Sequence, residues 1–411
     1  MNALVLIPLI IILVFMLRNK HMLIAGMLGG ICAMIIGKVG LAEASTIIMT
    51  TIPGMTSMIT PVIYSTTALV VAKAGGFDAL MRISRKLIGD KQYIIAAVIV
   101  LIQSLATYAA GLGAGNTMVT GPLAFAIIGA NPAVIAGMAI GTAASFMTSP
   151  SGADAATISK VANISITDYS DTMLPYAIGM WVIAMAIAAY GVWKKGVLIK
   201  EEDVKEEIST KMLWKNAIPP IYFLIVVVAS KYLNQIIGYH VFSPIFNMIS
   251  TLALTTIITR QSVDKISEDL VQNSAFLLTK LFTIGIFLGF INILSEIGTF
   301  TYIAGFIKIV PQFISVPAAI LIAFLIAIPA GGYSVGVSAL IMPILVESQL
   351  SIVQLGLAAL AIGVGTQISP AQINVASLSQ TFKLDMPSII KINIPYMAIS
   401  ISLLCIIGFF V

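Results

Sequence analysis

Long apolar runs alternate along the chain with short polar breaks, and the order of runs and breaks occurs twice. The first series predicts spans over 3–17, 22–39 and 56–74. An amphipathic helix in FDALMRISRKLIGDK comes next, with Phe77, Leu80, Met81, Leu87 and Ile88 on one face. An apolar pair, 92–108 and 118–130, is joined by YAAGLGAGNT. A long segment over 133–163 is interrupted at SPSG, and a closing span lies near 172–193. The second series predicts spans over 217–230, 238–259 and 275–294. Its amphipathic FTYIAGFIKIV sets Phe300, Ile303, Ile307 and Val310 on one face. Its pair, 315–329 and 336–349, is joined by PAGGYSV, its long segment, 353–380, is broken at SPAQ, and 388–410 closes it.

From Ser149 onward one fixed offset, 149 to 369, aligns the two series without a gap. Ser149 falls on Ser369, Pro150 on Pro370, Asp154 on Asn374, Ala156 on Ala376 and Ser159 on Ser379. Farther on, Pro175 meets Pro395 and Tyr176 meets Tyr396. The shared order of hairpin, broken helix and closing span argues for an internal repeat more strongly than the few identities do.

Composition sets the solvent. Of 411 residues 59% are hydrophobic and 9% charged, against about 25% charged in an ordinary soluble domain. Mean hydropathy is +1.05, and the runs repeatedly approach the roughly 20 residues needed to cross a bilayer. An all-α polytopic membrane protein is expected. Arg18, Lys20 and His21 follow the first run and no basic region precedes it, so a retained span is expected there rather than a signal peptide.

Charge placement gives a topology. With each apolar pair folded as a re-entrant hairpin, each half crosses an odd number of times, so the second half is inverted relative to the first. One side then receives Arg18, Lys20, Arg82, Arg85, Lys86, Lys91, Arg260, Lys265, Lys383 and the loop WKKGVLIKEEDVKEEISTKMLWK, while the other keeps little beyond Lys38, Lys231 and Lys308. The rich side is read as cytoplasmic, in a bacterial inner (plasma) membrane with both termini outside. Full crossing of the pairs would leave the same charge distribution, so re-entrance rests on their Gly-rich, uncharged tips. The halves are 1–192 and 217–411, with a cytoplasmic linker over 193–216.

Non-helical backbone at membrane depth is tolerated only inside protein or beside a wet cavity. Four such stretches occur: GLGAGNT (111–117), SPSGAD (149–154), PAGGYS (329–334) and SPAQIN (369–374). Breaks in corresponding positions of two inverted halves point to the central site of a transporter. Unwound helices offer N–H groups to anions and carbonyls to a small hard cation. Asp154 is the one acidic residue inside a break: a Na⁺ ligand, a proton carrier or an N-cap for AATISK. Its counterpart Asn374 is neutral, so the halves are not chemically equal. Lys160, two turns on, reads as a snorkelling cation, and no Arg lies in any break.

Other chemistry is poorly represented. Cys32 and Cys405 sit in apolar runs, and His21 and His240 belong to no HExxH helix or Cys cluster. There is no GxxxxGK[ST] loop, and no nucleophile accompanied by a base. An enzyme, an ATP-driven pump, a cofactor and a nucleic-acid partner are therefore not expected.

The stretches TYAAGLGAGNTMV, TSPSGADAATISKVANISITDYSDTMLPYAI, AIPAGGYSVGV and ISPAQINVASLSQTFKLDMPSIIKINIP resemble the ion-transporter superfamily of secondary carriers, most closely the anaerobic C4-dicarboxylate carriers. That resemblance covers most of the chain outside the first two spans and the central loop. It implies a homodimeric elevator, in which a transport domain of about 92–165 and 315–385 slides against a scaffold formed by the rest. It also implies substrate or ion binding by Gly115, Asn116, Thr117, Ser149, Ser151, Gly152, Asp154, Gly332, Tyr333, Ser334, Ser369, Gln372 and Asn374, with Na⁺ near Asn116, Asp154 and Asn374. Relatives often carry a serine–asparagine–threonine triplet at both tips; here only GNT at 115–117 approaches it.

The expected function is secondary active transport of a small carboxylate, a C4-dicarboxylate or similar organic anion, coupled to Na⁺ or H⁺. Two others stay open: a Na⁺/H⁺ antiporter without organic substrate, and a channel or the membrane subunit of a multi-component importer.

Overall fold

Polar residues at the ends of the apolar runs mark where many of the helices begin. A computed structural model of the chain describes residues 3–18, 20–56, 59–88, 91–111, 113–150, 152–196, 209–331 and 334–411. In chain order its α-helices are α1 (Ile7–Leu17), α2 (Met22–Gly37), α3 (Leu41–Thr56), α4 (Ile59–Lys73), α5 (Gly76–Ile88), α6 (Gln92–Ala110), α7 (Gly113–Ile128), α8 (Pro132–Thr148), α9 (Ala153–Ala162) and α10 (Ile166–Lys195). They continue as α11 (Thr210–Ile237), α12 (Pro244–Thr259), α13 (Val263–Glu296), α14 (Thr299–Ala304), α15 (Ser315–Ala330), α16 (Ser334–Glu347), α17 (Ile352–Thr366), α18 (Ile373–Phe382) and α19 (Met386–Gly408). No strand occurs among the described residues. Among the described residues three helical segments, Ile166–Lys195, Gln312–Ala330 and Met386–Gly408, are long and apolar enough to cross a bilayer, and up to five spans result if two bent pairs count as one each. The chain is a polytopic helical membrane protein.

The predicted spacing reappears in the helix boundaries. Asn131 caps α8, and Ser351 caps α17 through a capping box with Gln354. Helix α9 begins at Ala153 and α18 at Ile373; they end at Asn163 and Lys383, both left-handed. Ser165 caps α10, and Asp385 caps α19. Each pair (131 and 351, 153 and 373, 163 and 383, 165 and 385) keeps the offset that joins 149 to 369.

Several expectations change. α3 was not anticipated, because LAEASTIIMTTIPGMT is too polar to read as a span; it packs along α13. α13 starts at Val263 rather than near 275, since Ser262 caps it and its polar first turns remain helical. α12 starts at Pro244, not 238. The first hairpin turn is shorter than GLGAGNT: Gly111, left-handed at φ 69°, ends α6 and helix resumes at Gly113. On α5, Phe77 and Ile83 are buried but Leu87 is 69% exposed, so the buried face is narrower than predicted. The side chains of Met81 and Ile88 lie outside the described set. In the second amphipathic stretch Phe300 and Ile307 are buried, but the α-helix stops at Ala304 and continues as 3-10 turns over Gly305–Ile309.

The two interrupted helices form the centre. Every residue of α8 from Ala133 to Thr148 is buried, as is every residue of α17 from Leu355 to Thr366. They cross at Gly363, where an added methyl would stand 2.6 Å from Met147 Cγ and 3.0 Å from the Ala143 carbonyl oxygen; only glycine permits that approach. α10 packs on α6 and α8, and α19 packs on α15, α17 and α8. Elsewhere α13 runs against α2, α3 and α4, while α11 packs on α5 and α12.

Candidate functional site

Each hairpin meets two interrupted helices. Its tip leans on the helix of its own half: a methyl on Gly113 would collide with the Thr142 side chain, and one on Gly331 would lie 2.9 Å from Ser369 Cβ. Its second arm reaches into the other half, since α7 packs on α18 and α16 packs on α9. In the first crossing Gly121 abuts Thr381, and the Phe125 and Phe382 rings meet edge to face at 6.2 Å.

This exchange brings together pairs that the sequence leaves far apart. Thr117 Oγ1 on α7 donates to Asn374 Oδ1 on α18 at 2.6 Å. Ser334 Oγ on α16 donates to Asp154 Oδ2 on α9 at 3.1 Å. Both bonds run from a hydroxyl near a hairpin tip to the second residue of a half-helix that follows a break. That half-helix position is filled once by an amide and once by a carboxylate.

The amide crossing is the more fully bonded one, although Asn393 Oδ1 and the Ser377 hydroxyl on α18 lack partners among the described residues. Asn374 Nδ2 donates to Gln367 Oε1 at 2.7 Å, and Gln367 Nε2 donates to Thr366 Oγ1 at 3.1 Å. On the other side Gln103 Nε2 donates to Thr117 Oγ1 at 2.7 Å and to Thr142 Oγ1 at 2.8 Å, while its Oε1 accepts from Thr120. Asn393 Nδ2 donates to the Gln367 carbonyl at 2.9 Å. This neutral network ties α6, α7, α8, α17, α18 and α19 together.

The carboxylate crossing is open. Asp154 is 5% exposed and is the one buried charged side chain among those described. Its Oδ1 has no hydrogen-bond partner among the described residues. One turn beyond Ser334, Ser338 is fully buried and its hydroxyl also lacks a partner. A carboxylate at membrane depth costs about 2.5–3.5 kcal/mol, and Ser334, its one side-chain donor among the described residues, offsets only part of that. The reading of Asp154 as an N-cap is corrected: Gly152 occupies that position, no side chain caps the helix, and Asp154 lies inside the first turn. There its charge complements the positive end of α9.

Gly115, Asn116 and Thr117 are buried in the first turns of α7 and not in an open loop. Ser149 Oγ is committed to the Tyr108 carbonyl at 2.5 Å, and Ser369 Oγ accepts from the Ala371 N–H at 3.2 Å, so these hydroxyls shape the breaks. Gln372 Oε1 accepts from the Asn374 N–H at 3.5 Å, capping α18. Gly152 is buried against the Phe146 and Ser149 carbonyls. Ser151, Gly332 and Tyr333 lie outside the described residues. Lys160 is exposed. Sequence reasoning missed Gln103 and Gln367, although an amide inside LIQSLAT and another inside GVGTQIS are the kind of intramembrane polar residue that marks function. Among the described residues no group of three His, Cys, Asp or Glu side chains gathers to hold a metal. A hard cation would draw on the Asp154 carboxylate, hydroxyls and main-chain carbonyls.

No family model matches the chain, and no curated protein matches it. Among solved structures it is similar to MtrF of Neisseria gonorrhoeae, described as illuminating a class of antimetabolite efflux pumps. The identity is 17%, the match covers 90% of this chain and 84% of that one, and the TM-score is 0.41. A superposition that loose does not establish a shared fold.

Proposed function

We propose that the chain is a secondary active transporter in which Asp154 binds the coupling ion, Na⁺ or H⁺, and a small carboxylate is the organic substrate. The single observation that carries this reading is the open crossing: among the described residues, a lone buried carboxylate with one oxygen unpartnered, at a helix break against the arm of a hairpin. Where lipid and packing both penalise charge, a carboxylate lacking a permanent counter-ion is retained for the ion it takes up and releases. Helix N-termini at both breaks supply amide dipoles for an anion. The site contains no Arg, whose bidentate grip would slow release.

The repeated boundaries and the crossed pairing support two repeats, 1–192 and 217–411, joined by a linker over 193–216. On this reading they are inverted, and the hairpins and interrupted helices, about 92–165 and 315–385, move as a unit against the remaining spans of a homodimer. The basic side faces the cytoplasm of a bacterial cell, with both termini outside.

A second reading, a Na⁺/H⁺ antiporter without organic substrate, is favoured by the same solitary carboxylate, because such an exchanger needs one titratable cation site and nothing else. Purified protein in liposomes separates the two. The carrier takes up succinate, fumarate or citrate under a Na⁺ or pH gradient. The antiporter moves Na⁺ against H⁺ and ignores all three. If monodisperse protein moves neither anion nor ion, both readings fail.

A further inference from the structure

Far from the interrupted helices, the first turns of α11 and the last turn of α12 enclose a cleft of about 560 Å³. Its lining includes Lys211, Lys215 and Arg260, with no carboxylate among the described lining residues. The three cations are exposed at its edge, while Met212 and Ile258 supply apolar wall. A fourth cation stands beside it, for Lys86 Nζ donates to Thr210 Oγ1 at 3.3 Å. Asp269 on α13 is already paired with Lys73 at 2.6 Å. Like charges repel when brought together, so a pocket whose described lining concentrates three cations fits an anion.

We propose that this cleft binds a phosphate-bearing anion, with Arg260 presenting a planar fork to two phosphate oxygens and Lys211 and Lys215 acting as point charges. Its level in the chain supports a phosphate at the membrane edge. α11 turns apolar from Ala217 onward, and α12 is largely apolar up to Thr259, so the cations sit where both helices leave the hydrocarbon. Headgroup phosphates lie at that depth, and basic pockets between helix ends hold them. A free phosphate would be held by the same charges, and Met212 and Ile258 favour a ligand that also carries acyl chain.

The test uses the full chain in detergent. Its thermal stability is measured with phosphatidylglycerol, with phosphatidylcholine and with inorganic phosphate, for wild type and for the Lys211→Gln/Lys215→Gln/Arg260→Gln variant. Wild type is expected to be stabilised by phosphatidylglycerol. The half-saturating lipid concentration should rise about fivefold for each cation removed. Lys211→Arg/Lys215→Arg, which keeps the charge and guards against misfolding, should respond as wild type does, as should the control Lys195→Gln. Stabilisation by phosphatidylglycerol but not by inorganic phosphate identifies a lipid; stabilisation by both identifies the phosphate group itself as sufficient. If no anionic probe stabilises wild type, or if the triple variant responds undiminished, the proposal is overturned.

Discussion

The two crossings have the same geometry and opposite chemistry. At one, Thr117 meets Asn374, and the amide is bonded on into Gln367 while Gln103 holds the threonine from behind. At the other, Ser334 meets Asp154, and Asp154 Oδ1 and the neighbouring Ser338 hydroxyl have no partner among the described residues. The neutral network is bonded at nearly every member, Asn393 Oδ1 lacking a partner among the described residues, and such a network rigidifies its surroundings. At the charged crossing the spare acceptor is a carboxylate oxygen, which suits a cation. On the proposed function this difference divides the work: the neutral crossing would hold the two halves in register, and the charged crossing would take up the ion.

Making the crossings alike should break that division. Asp154→Asn leaves Ser334 a partner but removes the charge. Ion-driven uptake in proteoliposomes should fall to that of empty liposomes, while the apparent melting temperature rises, because about 2.5–3.5 kcal/mol of buried-charge penalty is relieved. A variant that keeps gradient-driven uptake would mean that coupling lies elsewhere. The reverse change, Asn374→Asp, sets a carboxylate against Gln367 Oε1, so two acceptors face each other. It should cost about 3 kcal/mol in chemical unfolding, and unchanged stability would show the neutral crossing to be no lock.

Smaller changes sharpen the comparison. Gln103→Leu removes the amide that joins Thr117, Thr120 and Thr142. At about 0.6 kcal/mol for an average interhelical hydrogen bond in a membrane, the expected loss is about 1–2 kcal/mol, with the ion dependence of uptake preserved. Lys160→Gln should change stability by less than about 0.5 kcal/mol, as exposed substitutions do, and should leave the rate of uptake unaltered. A large effect would make Lys160 a partner of the site.

Much of the frame is legible in the sequence because helix ends are written in local chemistry. The break at SPSG, the break at SPAQ and the offset joining Asp154 to Asn374 all survive as matching helix boundaries. The exchange of partners is not legible, since nothing local tells Thr117 to seek a residue in the other half. Glutamines 103 and 367 were hidden for a related reason: one amide scarcely dents the hydropathy of a long apolar run, and its significance appears only when the opposite helix arrives. α3 escaped because a helix that packs along another can carry Glu43 and several threonines without reading as apolar.

The most direct measurement of the unequal crossings is an ion-dependent thermal shift of purified protein, titrated with Na⁺ at two pH values for wild type, Asp154→Asn and Asn374→Ala. An ion that binds only the folded state at 100 times its dissociation constant stabilises it by about 2.7 kcal/mol. The account predicts that wild type and Asn374→Ala shift with Na⁺ or with pH and that Asp154→Asn shifts with neither. A response retained in Asp154→Asn and lost in Asn374→Ala would contradict it.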